Sequence, residues 1–133
     1  MSSNSAKKRL AQVVNPERAN LIKWFSIAFP GSSVQAIAHL TKIAIENHYV
    51  DKRKTPPGEI LKHWVTNNNA PQWACRASFD YLIEQHWLPH DEIECAIAAR
   101  YLLLNGHAIS KEWANLTGKW LNLAYQAQEE EEK

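Results

Sequence analysis

Apolar residues along this chain recur at spacings of three and four, and no alternating stretch is long enough for a sheet, so the pattern predicts helices throughout. The most apolar run is Ile93 to Leu104. Ile93, Ala96, Ile97, Tyr101 and Leu104 share one helical side, and Ala98, Ala99, Leu102 and Leu103 make the other sides apolar too, as in a centrally buried helix. Asp91 with Glu94 three residues on is close to a capping box, and Asn105-Gly106 supplies residues that tolerate a left-handed exit.

Five further helices follow from the same reasoning. Asn15-Pro16-Glu17 has the chemistry of a helix start, with Leu21, Phe25, Ala28 and Phe29 on one face and Pro30-Gly31 as the stop. Ser32 with Gln35 is a capping-box signature that opens Val34 to His48, whose Ile37, Leu40, Ile43 and Ala44 make an apolar stripe. Thr55-Pro56 opens a short helix to about Thr66 carrying Ile60, Leu61, Trp64 and Val65. Asn67 to Pro71 breaks it, and Gln72 to His86 continues with Cys75, Phe79, Leu82 and Ile83 along one side. Ser110 caps a last helix in which Trp113, Leu116, Trp120, Leu123 and Ala127 form a seam.

These elements define an all-α protein: a single compact domain of five to six core helices without a sheet, spanning 15–128. Residues 1–14, with Lys7, Lys8 and Arg9, read as a basic N-terminal arm, flexible or a short helix, and 129–133 as an acidic disordered tail. At 133 residues the chain is long enough to bury a core of its own.

Composition changes this picture little, but charge does. Residues 1–78 hold 11 Lys and Arg against 4 Asp and Glu, whereas 79–133 hold 4 against 10, although the net charge is only +1. Such asymmetry points to a half that faces a polyanion, or to opposite faces that pair. Cys75 and Cys95 lack Cys-x-x-Cys spacing, no signal peptide opens the chain, and no apolar run approaches the ~20 residues of a membrane span. A cytoplasmic protein with reduced thiols is expected.

Candidate chemistry is sparse. Cys75, His86, His90 and Cys95 are zinc-ligand types, but Cys75 and His86 belong to an apolar helical stripe and Cys95 to the helix expected to be buried, so no metal or other cofactor is expected. Gly31, Gly58, Gly106 and Gly118 are too scattered for a phosphate-cradling loop, and no nucleophile has a base at a telling spacing, so the chain does not read as an enzyme.

The pair of helices around Asn67–Pro71 can be laid out as a helix-turn-helix. Gln72 and Arg76 would then head a recognition helix, and Lys62, Asn68 and the Lys52-Arg53-Lys54 cluster would meet phosphate, although Asp80 and Glu84 on the same helix oppose a polyanion. Trp73 and Trp87, at the ends of that helix, are candidate anchors for a protein partner. The expectation is a small non-enzymatic accessory protein that associates with DNA or RNA through its basic half. The alternative is an interaction module that docks a protein, or a second copy of itself, through its charge asymmetry and Trp-rich C-terminal helix.

Overall fold

A computed structural model describes residues 5–131, and every regular element among them is helical, as the sequence pattern predicts. Eight α-helices are present rather than five or six. They form two compact units: Arg18–Trp87, and a second built from the segments 5–17 and 88–131. Of the acidic tail 129–133 expected to be disordered, 129–131 are instead the end of a helix, while 132–133, like 1–4 of the N-terminal arm, lie outside the described residues.

In the second unit α1 (Ala6–Val14) packs along α8 (Lys119–Glu131) and against α6 (Glu92–Leu104), which also meets α7 (Lys111–Thr117). The N-terminal stretch is therefore part of a core, with Ala6, Leu10 and Val14 buried one turn apart. Asn15–Glu17 makes a 3-10 turn, since Pro16 has no N–H to extend the α1 ladder. Within its unit α6 is the central helix: Ala96 to Ala99, Tyr101 and Leu102 are buried, Asp91 Oδ1 accepts the Glu94 N–H at 2.8 Å, and Gly106 takes the left-handed exit. Ile93 is nevertheless exposed.

The C-terminal seam is not one helix. Gly118, at φ 53° and ψ −128°, separates α7 from α8 and turns the chain out of the first frame. The buried stripe of α8 is consequently Leu121, Ala124 and Ala127, while Trp113, Leu116, Trp120 and Leu123 are only half-buried. Helix α8 continues through the acidic residues to Glu131. Glu130 accepts the Ala6 N–H at 2.9 Å and the Lys7 N–H at 3.3 Å, so a carboxylate from one end of the chain satisfies the open N-terminal donors of α1.

In the unit Arg18–Trp87, α2 (Asn20–Ala28) packs on α4 (Ile60–Asn67) and α5 (Gln72–Glu84), and α5 packs on α3 (Ser33–Glu46). Leu21, Ile22, Phe25, Ile37, Leu40 and Phe79 fill its core, with Phe25 edge-on to Tyr81 at 5.0 Å between ring centroids. The Ser32–Gln35 capping box forms in both directions. Helix α4 begins at Ile60, later than Pro56 would allow: Pro57 and Gly58 form a turn whose carbonyls accept the Ile60 and Leu61 N–H groups, and Gly58 lies against the first turn of α3. A Cβ on Gly58 would stand 2.7 Å from the Val34 backbone nitrogen.

Candidate nucleic-acid interface

Helix α5 is the central helix of its unit. From Trp73 to Leu82 every residue but Arg76 is buried, leaving Gln72, Arg76 and Glu84 with the edge of Asp80 as its only outward stripe at the four-residue spacing of one helix side. A recognition helix must offer a face to the major groove, and this one spends its faces on α2 and α3. The same stripe ends on the exposed Glu84, so laying it in a groove would press that carboxylate toward phosphate. Base readout by Gln72 and Arg76 along α5 is therefore set aside, even though Asn68 sits in the left-handed conformation that a tight turn between two helices requires.

The first turn of α5 keeps a different capacity. Arg18 Nη1 donates to Gln72 Oε1 at 2.9 Å, the Arg53 guanidinium lies over the Trp73 ring at 5.0 Å, and the Arg76 guanidinium lies over the Tyr49 ring at 4.0 Å. Three arginines from three distant parts of the chain thus meet within one helical turn. The Trp73 ring on one side of the exposed Arg53 guanidinium fixes its plane, a geometry that suits paired oxygen acceptors such as those of phosphate.

The segment between α3 and α4 that carries Lys52, Arg53 and Lys54 is irregular, and its anchors explain how it stays in place. His48 turns left-handed at φ 62°, the Tyr49 N–H donates to Ala44 O at 2.8 Å, and the Tyr49 hydroxyl donates to Asp80 Oδ2, which also accepts from Asn47 Nδ2 at 3.0 Å. Asp80 is thereby turned inward, 9% exposed, and its charge is spent on the anchor rather than on the surface. Burial first, and the hydrogen bond to Asp80 second, push the Tyr49 phenol far above the usual tyrosine range, so it is a donor at any ordinary pH. Lys52, Arg53 and Lys54 are all exposed, and no carboxylate lies within ion-pair distance of them among the described residues.

The other basic residues fall elsewhere. Lys62 is exposed on α4, while Lys7, Lys8 and Arg9 are exposed on α1 in the second unit, with Lys7 Nζ 3.9 Å from Glu131. Folding thus regroups the charge: 18–87 holds 8 bases against 5 acids, and the described part of the second unit 6 against 8. Arg18 and Tyr49 carried no sequence signal for this site, since Arg18 is 54 residues from its partner Gln72 and only the fold joins them.

Trp73 does not serve as an exposed anchor; it is buried edge-on to Trp64 at 5.8 Å, with Arg53 above it. Trp87 is half-buried and stacks on Trp24 at 5.3 Å. The two line an apolar groove of about 260 Å³ with Ile27, Ala28, Leu82 and Gln85. A second cavity of about 250 Å³, toward the last turns of α5, is acidic and lined by His39, Glu46, Asp80 and Glu84 among others.

The cysteines have local partners. Cys75 Sγ donates toward the Arg18 carbonyl at 3.8 Å and Cys95 Sγ to the Leu116 carbonyl at 3.2 Å, so each thiol serves packing and a backbone acceptor. No three His, Cys, Asp or Glu side chains gather in a metal-binding group among the described residues, and no helix among them is long and apolar enough to cross a membrane. Compared with known proteins, the chain matches no family model, no curated protein and no solved structure.

Proposed function

We propose that Arg18–Trp87 is a phosphate-contacting unit and that the protein acts as a non-enzymatic accessory of a nucleic acid, DNA or RNA, in the cytoplasm. The observation that supports this reading best is the convergence of Arg18, Arg53 and Arg76 on the first turn of α5. Lys52 and Lys54 flank Arg53 in sequence and add exposed charge; Lys62 on α4 extends the basic character of the unit. Phosphate contacts of this kind fix a protein on its nucleic acid without reading bases.

The test is a titration of labelled nucleic acid at several salt concentrations. Three to five phosphate contacts give a slope of log affinity against log salt of roughly −2 to −4.5. Charge reversal of Lys52, Arg53 and Lys54 should flatten that slope and weaken binding to all sequences alike. Absence of binding to DNA and RNA at low salt refutes the proposal.

A second reading rests on the Trp24–Trp87 groove, where Ile27 is 73% exposed at the rim. An exposed apolar groove with paired tryptophans is the kind of surface on which a protein partner finds an anchor. In that reading Ile27→Asp abolishes association while leaving the fold intact.

A further inference from the structure

We infer that the Trp24–Trp87 groove receives Tyr125 of a second copy of this chain in a head-to-tail contact; this rests on the groove reading above and names its occupant. Trp24, Ile27 and Ala28 of α2 line one side of the groove, and Leu82, Gln85 and Trp87 the other. Its volume of about 260 Å³ suits one large side chain rather than a helix. The lining is aromatic and aliphatic apart from the Gln85 amide. Such a site matches a side chain with an apolar body and a hydrogen-bonding tip, which is the character of tyrosine.

Among the described residues the second unit exposes three large apolar side chains, Leu88, Ile93 and Tyr125. Leu88 lies outside any helix, and Ile93 stands among acids already engaged: Glu92 accepts from Trp120 Nε1 at 2.7 Å and faces Lys119 at 3.6 Å, while Glu94 faces His90 at 3.4 Å. Tyr125, 44% exposed, lies on the outward side of α8 with exposed Asn122 and Glu129 one turn to either side. On α2, Ile27 at the groove rim follows exposed Lys23 by one turn. Neither Lys23 nor Glu129 has an ion pair among the described residues. Both steps span four residues, about 6 Å of helix axis. An antiparallel crossing of α2 by α8 of a second copy therefore places Tyr125 in the groove and Glu129 against Lys23 together. The charge of the two units is complementary in the same sense, 8 bases against 5 acids around the groove and 6 against 8 around Tyr125. Because the two surfaces differ, each bound copy keeps one of them free, and assembly proceeds past the dimer unless a ring closes.

The experiment is sedimentation velocity of the full chain over a range from micromolar to millimolar, with thermal unfolding showing that each variant is folded. The parent should sediment faster as concentration rises and pass the dimer. Ile27→Asp and Tyr125→Asp, each alone, should weaken self-association by at least about thirtyfold, the loss expected of a central anchor. Mixed in equal amounts, the two variants should form a 1:1 dimer and nothing larger, since the Tyr125→Asp chain keeps its groove and the Ile27→Asp chain keeps its tyrosine. Glu129→Lys should weaken assembly by about two- to fivefold, and Lys23→Glu in the same chain should restore it. A parent that is monomeric throughout, or a mixture that fails to pair, overturns the inference. Assembly abolished by Ile27→Asp but indifferent to Tyr125→Asp also overturns it, while the groove reading stands with another occupant. Assembly indifferent to Ile27→Asp removes the groove reading itself.

Discussion

The Tyr49 hydroxyl donates to Asp80 Oδ2, tying an irregular segment to the middle of α5 at a point where the Tyr49 ring also supports Arg76. One side chain thus carries both the anchor of the segment and the floor of the arginine cluster. The phenol's raised pKa sets the pH dependence. In the unfolded chain a tyrosine loses its proton near pH 10, whereas in the folded protein Tyr49 keeps it to higher pH, so the unfolded state binds fewer protons and stability falls as pH rises above about 10. The advantage of the parent over Tyr49→Phe should therefore be full at neutral pH and shrink above about pH 10, as read by urea unfolding at both pH values. An advantage that grows with pH contradicts the assignment.

Leu102 is 1% exposed and Leu103 half-buried, although they are neighbours in the same apolar run. Leu102→Ala should cost about 2–5 kcal/mol through lost burial and the cavity left behind. Leu103→Ala should cost clearly less, and chemical denaturation of the two single variants gives the comparison. Equal losses would mean that α6 is rotated from the orientation described.

Gly58 is required for close approach. A Cβ there would meet the Val34 nitrogen at 2.7 Å and the Ser33 carbonyl carbon at 2.9 Å, both backbone atoms of the first turn of α3 that cannot swing aside. Gly58→Ala should destabilise by about 1–3 kcal/mol despite the entropy gain of replacing glycine. A neutral or stabilising result in thermal unfolding would show that Pro56-Pro57-Gly58 does not lie against α3.

The Cys95 thiol is pushed up from its usual pKa by burial, then by Glu92, Asp91 and Glu94. Fewer thiolates form at a given pH, so alkylation of Cys95 in the native protein should be slower than that of a free thiol and should recover on denaturation. Site-resolved mass spectrometry after timed iodoacetamide treatment measures both rates. Native alkylation as fast as that of the denatured chain would show that the thiol is neither buried nor surrounded by acids.

Features set by neighbouring residues were legible before the fold was known. The Ser32–Gln35 box and the Asp91–Glu94 start depend on a three-residue reach, and both form. The break between α7 and α8 was not legible, because a lone glycine inside an apolar period of three and four is tolerated as often as it interrupts. The burial of α5 was concealed by Asp80, which reads as a charge opposing a polyanion until Tyr49 and Asn47 are seen to take its carboxylate inward. Arg18 at Gln72 is a long-range product of folding that no spacing rule reaches.

The bond from the Ala6 N–H to Glu130 spans 124 positions of sequence, and the unit it closes is interrupted by the whole of Arg18–Trp87. During synthesis from the N-terminus, Arg18–Trp87 is complete while the partners of α1 have yet to be made, so the inner unit has the first opportunity to fold. Once that unit is folded, fewer loose residues separate α1 from α6 and α8 than the chain length implies, which lowers the entropy cost of closing them. The contacts inside Arg18–Trp87 are short in sequence and those that bury Leu10 and Val14 of α1 against α6 and α8 are long, so topology favours a fast inner step and a slower closure of the two ends.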